Sequence, residues 1–122
     1  MIDPITEHIL REQFNPGPMI ARVKGQMNVE WTDCYEDRCP GMESHEAKVC
    51  KSNCILLSLT NAITKMARVR TQCNKSKNPS SCIDRVNNSI DMLRKKLNRE
   101  REKRGKALDK WAEYRRQNTG GR

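Results

Sequence analysis

The sequence predicts an all-α protein: a disulfide-stapled antiparallel helical hairpin with an irregular N-terminal strap and a long basic C-terminal helix. Three observations carry that prediction. Ile55, Leu59, Ala62, Met66, Val69 and Cys73 follow at steps of four, three, four, three and four, a heptad-like stripe on one helix face. Cys82, Val86, Ile90, Leu93 and Leu97 repeat the pattern at steps of four, four, three and four. Between them lies a short polar loop turning at Asn78-Pro79, so Cys73 closes the first stripe and Cys82 opens the second. Helices joined in this way fold back on each other and bring both sulfurs into the seam at the hinge.

In chain order, residues 2–14 read as a short helix, with Asp3 as cap, Pro4 at the first helical position and Ile5, Ile9, Leu10 and Phe14 on one face. Asn15-Pro16-Gly17-Pro18 reads as its stop. Residues 19–33 are mixed in composition and contain Gly25, and they read as an irregular or partly helical strap anchored by Trp31. Pro40-Gly41 marks a turn. A helix then starts near Ser44, with Glu43 and Glu46 at its positive end. After the hinge, Ser80 or Ser81 caps the second helix, with Asp84 in its first turn. Beyond Leu97 the helix becomes charged and solvated, and Gly105 weakens it by about 1 kcal/mol relative to Ala. One domain results, with residues 1–43 as the N-terminal strap, 44–116 as the hairpin and 117–122 as a flexible tail.

The last apolar face contains Ala107, Leu108, Trp111 and Ala112. Counted back from Cys73 to Ser44, the first helix has 30 residues and would end opposite Lys110 of the second. Leu108, Trp111 and Ala112 would then overhang the hairpin and offer a buried-Trp type of anchor to a partner. Charge points to the same region. The net charge is +9, and residues 94–122 hold twelve Lys or Arg against four Asp or Glu. Acidic protein surfaces, anionic lipid headgroups and nucleic acid all suit such a helix. The apolar patch favours packing on a larger assembly and ranks nucleic acid below it. The bland alternative is a solvated helix laced with Arg/Glu pairs.

Six cysteines in 122 residues, with only 35% of the chain hydrophobic, imply that covalent staples supplement a small core. Cys50 and Cys54 share a stripe that flanks the seam, and the segment bearing Cys34 and Cys39 is its natural cover. Of fifteen pairings, the simplest joins those two to Cys50 and Cys54 and leaves Cys73 with Cys82. A zinc site on the four thiolates of Cys34, Cys39, Cys50 and Cys54 is the alternative, but it leaves Cys73 and Cys82 unexplained. A redox Cys-x-x-Cys, a glycine-rich phosphate loop and a histidine-based triad are all absent from the sequence, and His8 and His45 are isolated. The expectation is therefore a non-enzyme with no cofactor, no metal and no small-molecule substrate.

Oxidised cysteines need a compartment that glutathione does not reduce. The start Met1-Ile2-Asp3-Pro4-Ile5-Thr6-Glu7-His8 has neither the basic start and apolar core of a secretory signal nor the Arg-rich, acid-poor character of a transit peptide. The expectation is either a mature chain or one that reaches an oxidising space without a cleaved signal, as cysteine-paired helical proteins of the mitochondrial intermembrane space do. The sequons Asn74-Lys75-Ser76 and Asn87-Asn88-Ser89 fall on or near the hairpin turn and favour a compartment without N-glycosylation.

The stretch Ala67-Arg68-Val69-Arg70-Thr71-Gln72-Cys73, its loop, and Ser81-Cys82-Ile83-Asp84-Arg85-Val86 resemble the PDSW-type accessory subunits of mitochondrial respiratory complex I. There, too, a helix ending in cysteine turns through a polar loop into a second cysteine and a long charged helix, and an earlier cysteine pair precedes the first helix, as Cys34 and Cys39 do here. The resemblance covers about half of the chain; the loop here is shorter, and Cys50 and Cys54 have no clear counterpart. It implies a peripheral place on the intermembrane-space side of the inner membrane, other subunits of the complex as partners, and no catalytic residues. Oxidase subunits and import chaperones of the same compartment share the cysteine-paired helical plan.

Overall fold

The computed structural model describes residues 14–119. Among the described residues there are three helices and one 3-10 turn: α1 (Pro16–Arg38), α2 (Ser44–Thr71), the turn Gln72–Lys75, and α3 (Pro79–Thr119). No strand occurs among the described residues, so the fold is all-α with disulfide-linked helices. The short helix expected over residues 2–14 lies outside the described residues except for Phe14, which packs against the core.

The strap is where the fold departs from expectation. Residues 16–38 form a continuous helix, not an irregular segment. Asn15 is its N-cap: the side chain Oδ1 accepts a hydrogen bond from the Gly17 N–H at 2.9 Å. Pro16 occupies the first helical position, where a missing N–H is no loss and the fixed φ is already helical. The Asn-Pro-Gly-Pro run is thus a start, not a stop. Ile20, Val23, Met27, Trp31 and Cys34 then recur at steps of three, four, four and three, and this face packs on α2. Gly25 sits on the exposed side with open space around it, so it weakens the helix without interrupting packing.

The α1–α2 connection turns at Gly41, whose φ of +82° belongs to the left-handed region that favours glycine. Glu43 then caps α2, its carboxylate accepting from the N–H groups of His45 and Glu46. The hinge after α2 ends at a second Asn-Pro pair. Asn78 Oδ1 accepts from the Ser81 N–H at 3.1 Å, and Pro79 is the first residue of α3. The cap is therefore Asn78, not Ser80 or Ser81, for the same reason that Asn15 caps α1.

α2 is the central element. α3 folds back along it, α1 lies along another face of it, and α1 and α3 touch little. The core follows the two stripes read from the sequence: Leu59, Ala62, Met66, Val69 and Cys73 of the first half meet Cys82, Val86, Ile90 and Leu93 of the second, with Ile20 and Val23 closing the side. Met66, Val86 and Cys73 are fully sequestered. Ile55 and Leu97, the outer ends of both stripes, are half-buried.

Candidate functional site

Three places on this frame carry chemistry. The first is the cysteine framework. Cys73 and Cys82 form a disulfide across the hinge, with Cα atoms 5.5 Å apart. Cys34 pairs with Cys54 and Cys39 with Cys50. Cys39, the C-cap of α1, thus takes the earlier cysteine of α2, and Cys34 within α1 takes the later one, as antiparallel helices require. No described cysteine is left free. The sulfurs of Cys39, Cys50 and Cys54 lie within 4.8 Å of one another, but as disulfides they offer no thiolate to a zinc ion. The paired cysteines stand 20, 11 and 9 residues apart in sequence, and each closure stabilises by roughly 2.5–3.5 kcal/mol in the chain-entropy model. The Cys39–Cys50 loop lies inside the Cys34–Cys54 loop, so those two contributions overlap.

The second place is the end of the hairpin away from the hinge. His45 stacks on Tyr114, ring centroids 4.6 Å apart, and its Nδ1 lies 2.8 Å from Glu43 Oε1. His45 precedes Cys73 by 28 residues and Tyr114 follows Cys82 by 32, yet the two meet. Side chains lean toward the N-terminus of their own helix. His45 leans outward and Tyr114 leans back, which closes a gap of about one turn. The overhang expected beyond Lys110 is correspondingly shorter. Leu108, Trp111 and Ala112 lie alongside the hairpin, half-buried, with the Arg115 guanidinium 4.2 Å above the Trp111 ring. They form a half-exposed edge and not a free-standing anchor.

The third place is a groove that sequence reasoning did not locate. α1 meets α3 at the hinge end, where Arg85 donates to Asn15 Oδ1 at 3.0 Å, and then diverges from it. The gap opens as a recess of about 370 Å³ with Met27 and Trp31 on the α1 side, Ile55 and Leu59 as floor, and Lys96 and Arg99 on the α3 side. It continues past Ile55 and Glu100 into a second recess of about 420 Å³ rimmed by Lys48 and Lys51 of α2 and by Lys103, Lys106 and Lys110 of α3. Seven cations line the two recesses, against one carboxylate. That carboxylate, Glu100, accepts a 2.8 Å hydrogen bond from the buried Ser52 hydroxyl. Arg104 donates to Asn53, a second polar tie between α2 and α3 at this level. Lys51 Nζ lies 5.6 Å from the Trp31 ring centroid and 5.8 Å from that of Tyr35. The signal for this groove was the α3 spacing of Lys96, Arg99, Lys103, Lys106 and Lys110 at steps of three, four, three and four. The other wall was hidden by reading Trp31 as part of an irregular strap.

Comparison with protein-family models, with curated proteins and with solved structures finds no match to this chain.

Proposed function

We propose that this chain is a non-catalytic accessory subunit of a mitochondrial inner-membrane respiratory complex, NADH:ubiquinone oxidoreductase (complex I) first among them, held peripherally on the intermembrane-space side. Its task there is to clamp membrane subunits together during assembly and in the finished complex. The observation that supports this most is the cysteine framework: all six cysteines are paired, across both helix–helix connections. Such a framework persists where the glutathione pool does not reduce it. It makes a rigid rod from a chain with few apolar residues, which suits a clamp better than an enzyme. The similarity of the hinge and its flanking helices to the PDSW-type subunits supplies the particular complex. No described helix is long and apolar enough to cross a membrane, so the reading is of attachment through neighbouring subunits. Leu108, Trp111 and Ala112 would touch such a neighbour, and the basic rim would meet acidic protein or anionic lipid headgroups.

A second reading, a nucleic-acid-binding helical module, draws on the twelve cations of residues 94–122. Native electrophoresis in mild detergent separates the two. The subunit co-migrates with a large membrane complex over a range of salt, and Trp111→Ala retains its helical content but incorporates less well. Migration only as a soluble monomer would end the subunit reading. Affinity for single- or double-stranded nucleic acid that falls steeply with salt would establish the other.

A further inference from the structure

We infer that the groove between α1 and α3 is the docking site for an acidic amphipathic helix of a partner protein, which lies on α2 beside the three described helices and completes a bundle. Two observations choose that occupant. The first is charge. Seven cations and one carboxylate line the recesses, and the carboxylate is already engaged by Ser52. None of Lys48, Lys96, Lys103, Lys106 and Lys110 has a described carboxylate as partner. An occupant that neutralises them is strongly acidic. The second is spacing. Lys96, Arg99, Lys103, Lys106 and Lys110 alternate steps of three and four, the heptad register along which a neighbouring helix keeps one face in contact. Carboxylates at i, i+3, i+4 and i+7 of a second helix would track that rim turn by turn.

The apolar floor fixes the rest of the occupant. Ile55, Leu59, Met27 and Trp31 line the first recess, so the partner presents an apolar stripe to that floor and carboxylates to the basic rim. From Lys96 to Lys110 the rim runs about 21 Å at 1.5 Å per residue, room for a helix of about four turns. Single-stranded nucleic acid fits less well. Its bases would need an open aromatic face, and Lys51 already lies over Trp31 and Tyr35. A bilayer surface would meet the rim but leave the floor unfilled. The inference rests on the reading of the chain as a docking subunit, though not on which complex it joins.

The test uses the full, oxidised chain and a synthetic peptide of about fifteen residues, with Leu at heptad a and d and Glu at e and g. A scrambled peptide of the same composition, vesicles containing one-third anionic lipid and a single-stranded oligonucleotide serve as the other probes. Binding of the ordered peptide, followed by Trp fluorescence and calorimetry, is expected to exceed that of the scrambled one about tenfold. The triple variant Lys103→Glu/Lys106→Glu/Lys110→Glu should lose about tenfold or more, as three rim ion pairs reverse. Arg94→Glu/Arg101→Glu/Arg116→Glu makes the same change in net charge on another, exposed face of α3 and should lose no more than about threefold. Circular dichroism and intact mass confirm that both variants keep helices and disulfides. Equal losses in the two variants, equal binding of the scrambled peptide, or tighter binding to vesicles or oligonucleotide would overturn the inference. Failure to co-migrate with a membrane complex, with the peptide results intact, would remove only the respiratory-complex assignment. Co-migration that survives the Lys103/Lys106/Lys110 reversal, with no peptide binding, would remove only the groove.

Discussion

The two halves of α3 are held in place by different physics. From Cys82 to Leu93 the helix is gripped by apolar packing: Val86, Ile90 and Leu93 bury against Met66, Ala62 and Leu59, and the hinge disulfide closes the end. From Leu97 onward the same helix is held by polar and edge contacts, Glu100 to Ser52, Arg104 to Asn53 and Tyr114 to His45, while Arg99, Lys103, Lys106 and Lys110 line the groove. The first half is a core element and the second a display element. A single continuous helix lets the rigidity of the one set the geometry of the other. α1 shows the same division: it touches α3 at Asn15 near the hinge and leaves it by the level of Trp31, where the groove opens.

The sharpest way to break that comparison is to truncate one leucine in each half. Leu93 is 1% exposed, so Leu93→Ala should lower unfolding free energy by about 2–5 kcal/mol. Leu108 is half-buried, and Leu108→Ala should cost about 1 kcal/mol. Urea midpoints at constant m-value measure both. Similar losses would mean that the display half is as tightly packed as the core half.

Next in size is the hinge staple. Cys73 and Cys82 are both buried, so Cys73→Ala/Cys82→Ala avoids stranding hydroxyls in the core. The double variant should lose roughly 2–3 kcal/mol. Removing Cys39 and Cys50 in the same way should cost less, because Cys34–Cys54 still closes the α1–α2 connection around it. Intact mass after alkylation confirms which disulfides remain, and denaturant midpoints give the losses. A larger loss for the Cys39–Cys50 pair would show that α1, not the hinge, is the weaker joint.

What could be read from sequence divides along the same line. The core half was legible because its signal is periodic: apolar residues at alternating three- and four-residue steps specify a buried face whatever else surrounds it. The hinge disulfide followed, since both stripes end in cysteine. The partition of the other four cysteines was also legible, but which of Cys34 and Cys39 joins which partner depends on α1 running antiparallel to α2. α1 itself was misread because Asn-Pro at a helix start and Asn-Pro at a turn are the same letters. Only the face that follows, from Ile20 to Cys34, distinguishes them, and Gly25 obscured it. The groove was not legible as a place, because the divergence of α1 from α3 is a property of how both sit on α2. Its basic wall was legible as a stripe on α3.

The smallest expected effect lies at the open end, in the cap of α2. Desolvation pushes the Glu43 carboxyl up, but hydrogen bonds from the His45 N–H, the His45 ring, the Ser44 hydroxyl and the Glu46 N–H outweigh it and bring its pKa down from 4.5 to about 2. A carboxyl whose folded pKa is depressed contributes stability that is fully present above about pH 4.5 and is lost as pH falls through about 2. Glu43→Gln removes the charge but keeps one acceptor for the capping N–H groups. The stability difference between the native chain and Glu43→Gln should therefore be largest above pH 4.5, shrink between pH 4.5 and 2, and vanish below that range. The carboxylate is partly exposed, so solvent screens it and the effect stays well below that of either leucine. Urea midpoints of both proteins across that range measure the difference directly, with the remaining carboxylates common to both and cancelling. A difference that does not change with pH would show that Glu43 stabilises α2 as a neutral cap, without help from its charge at the positive end of the helix.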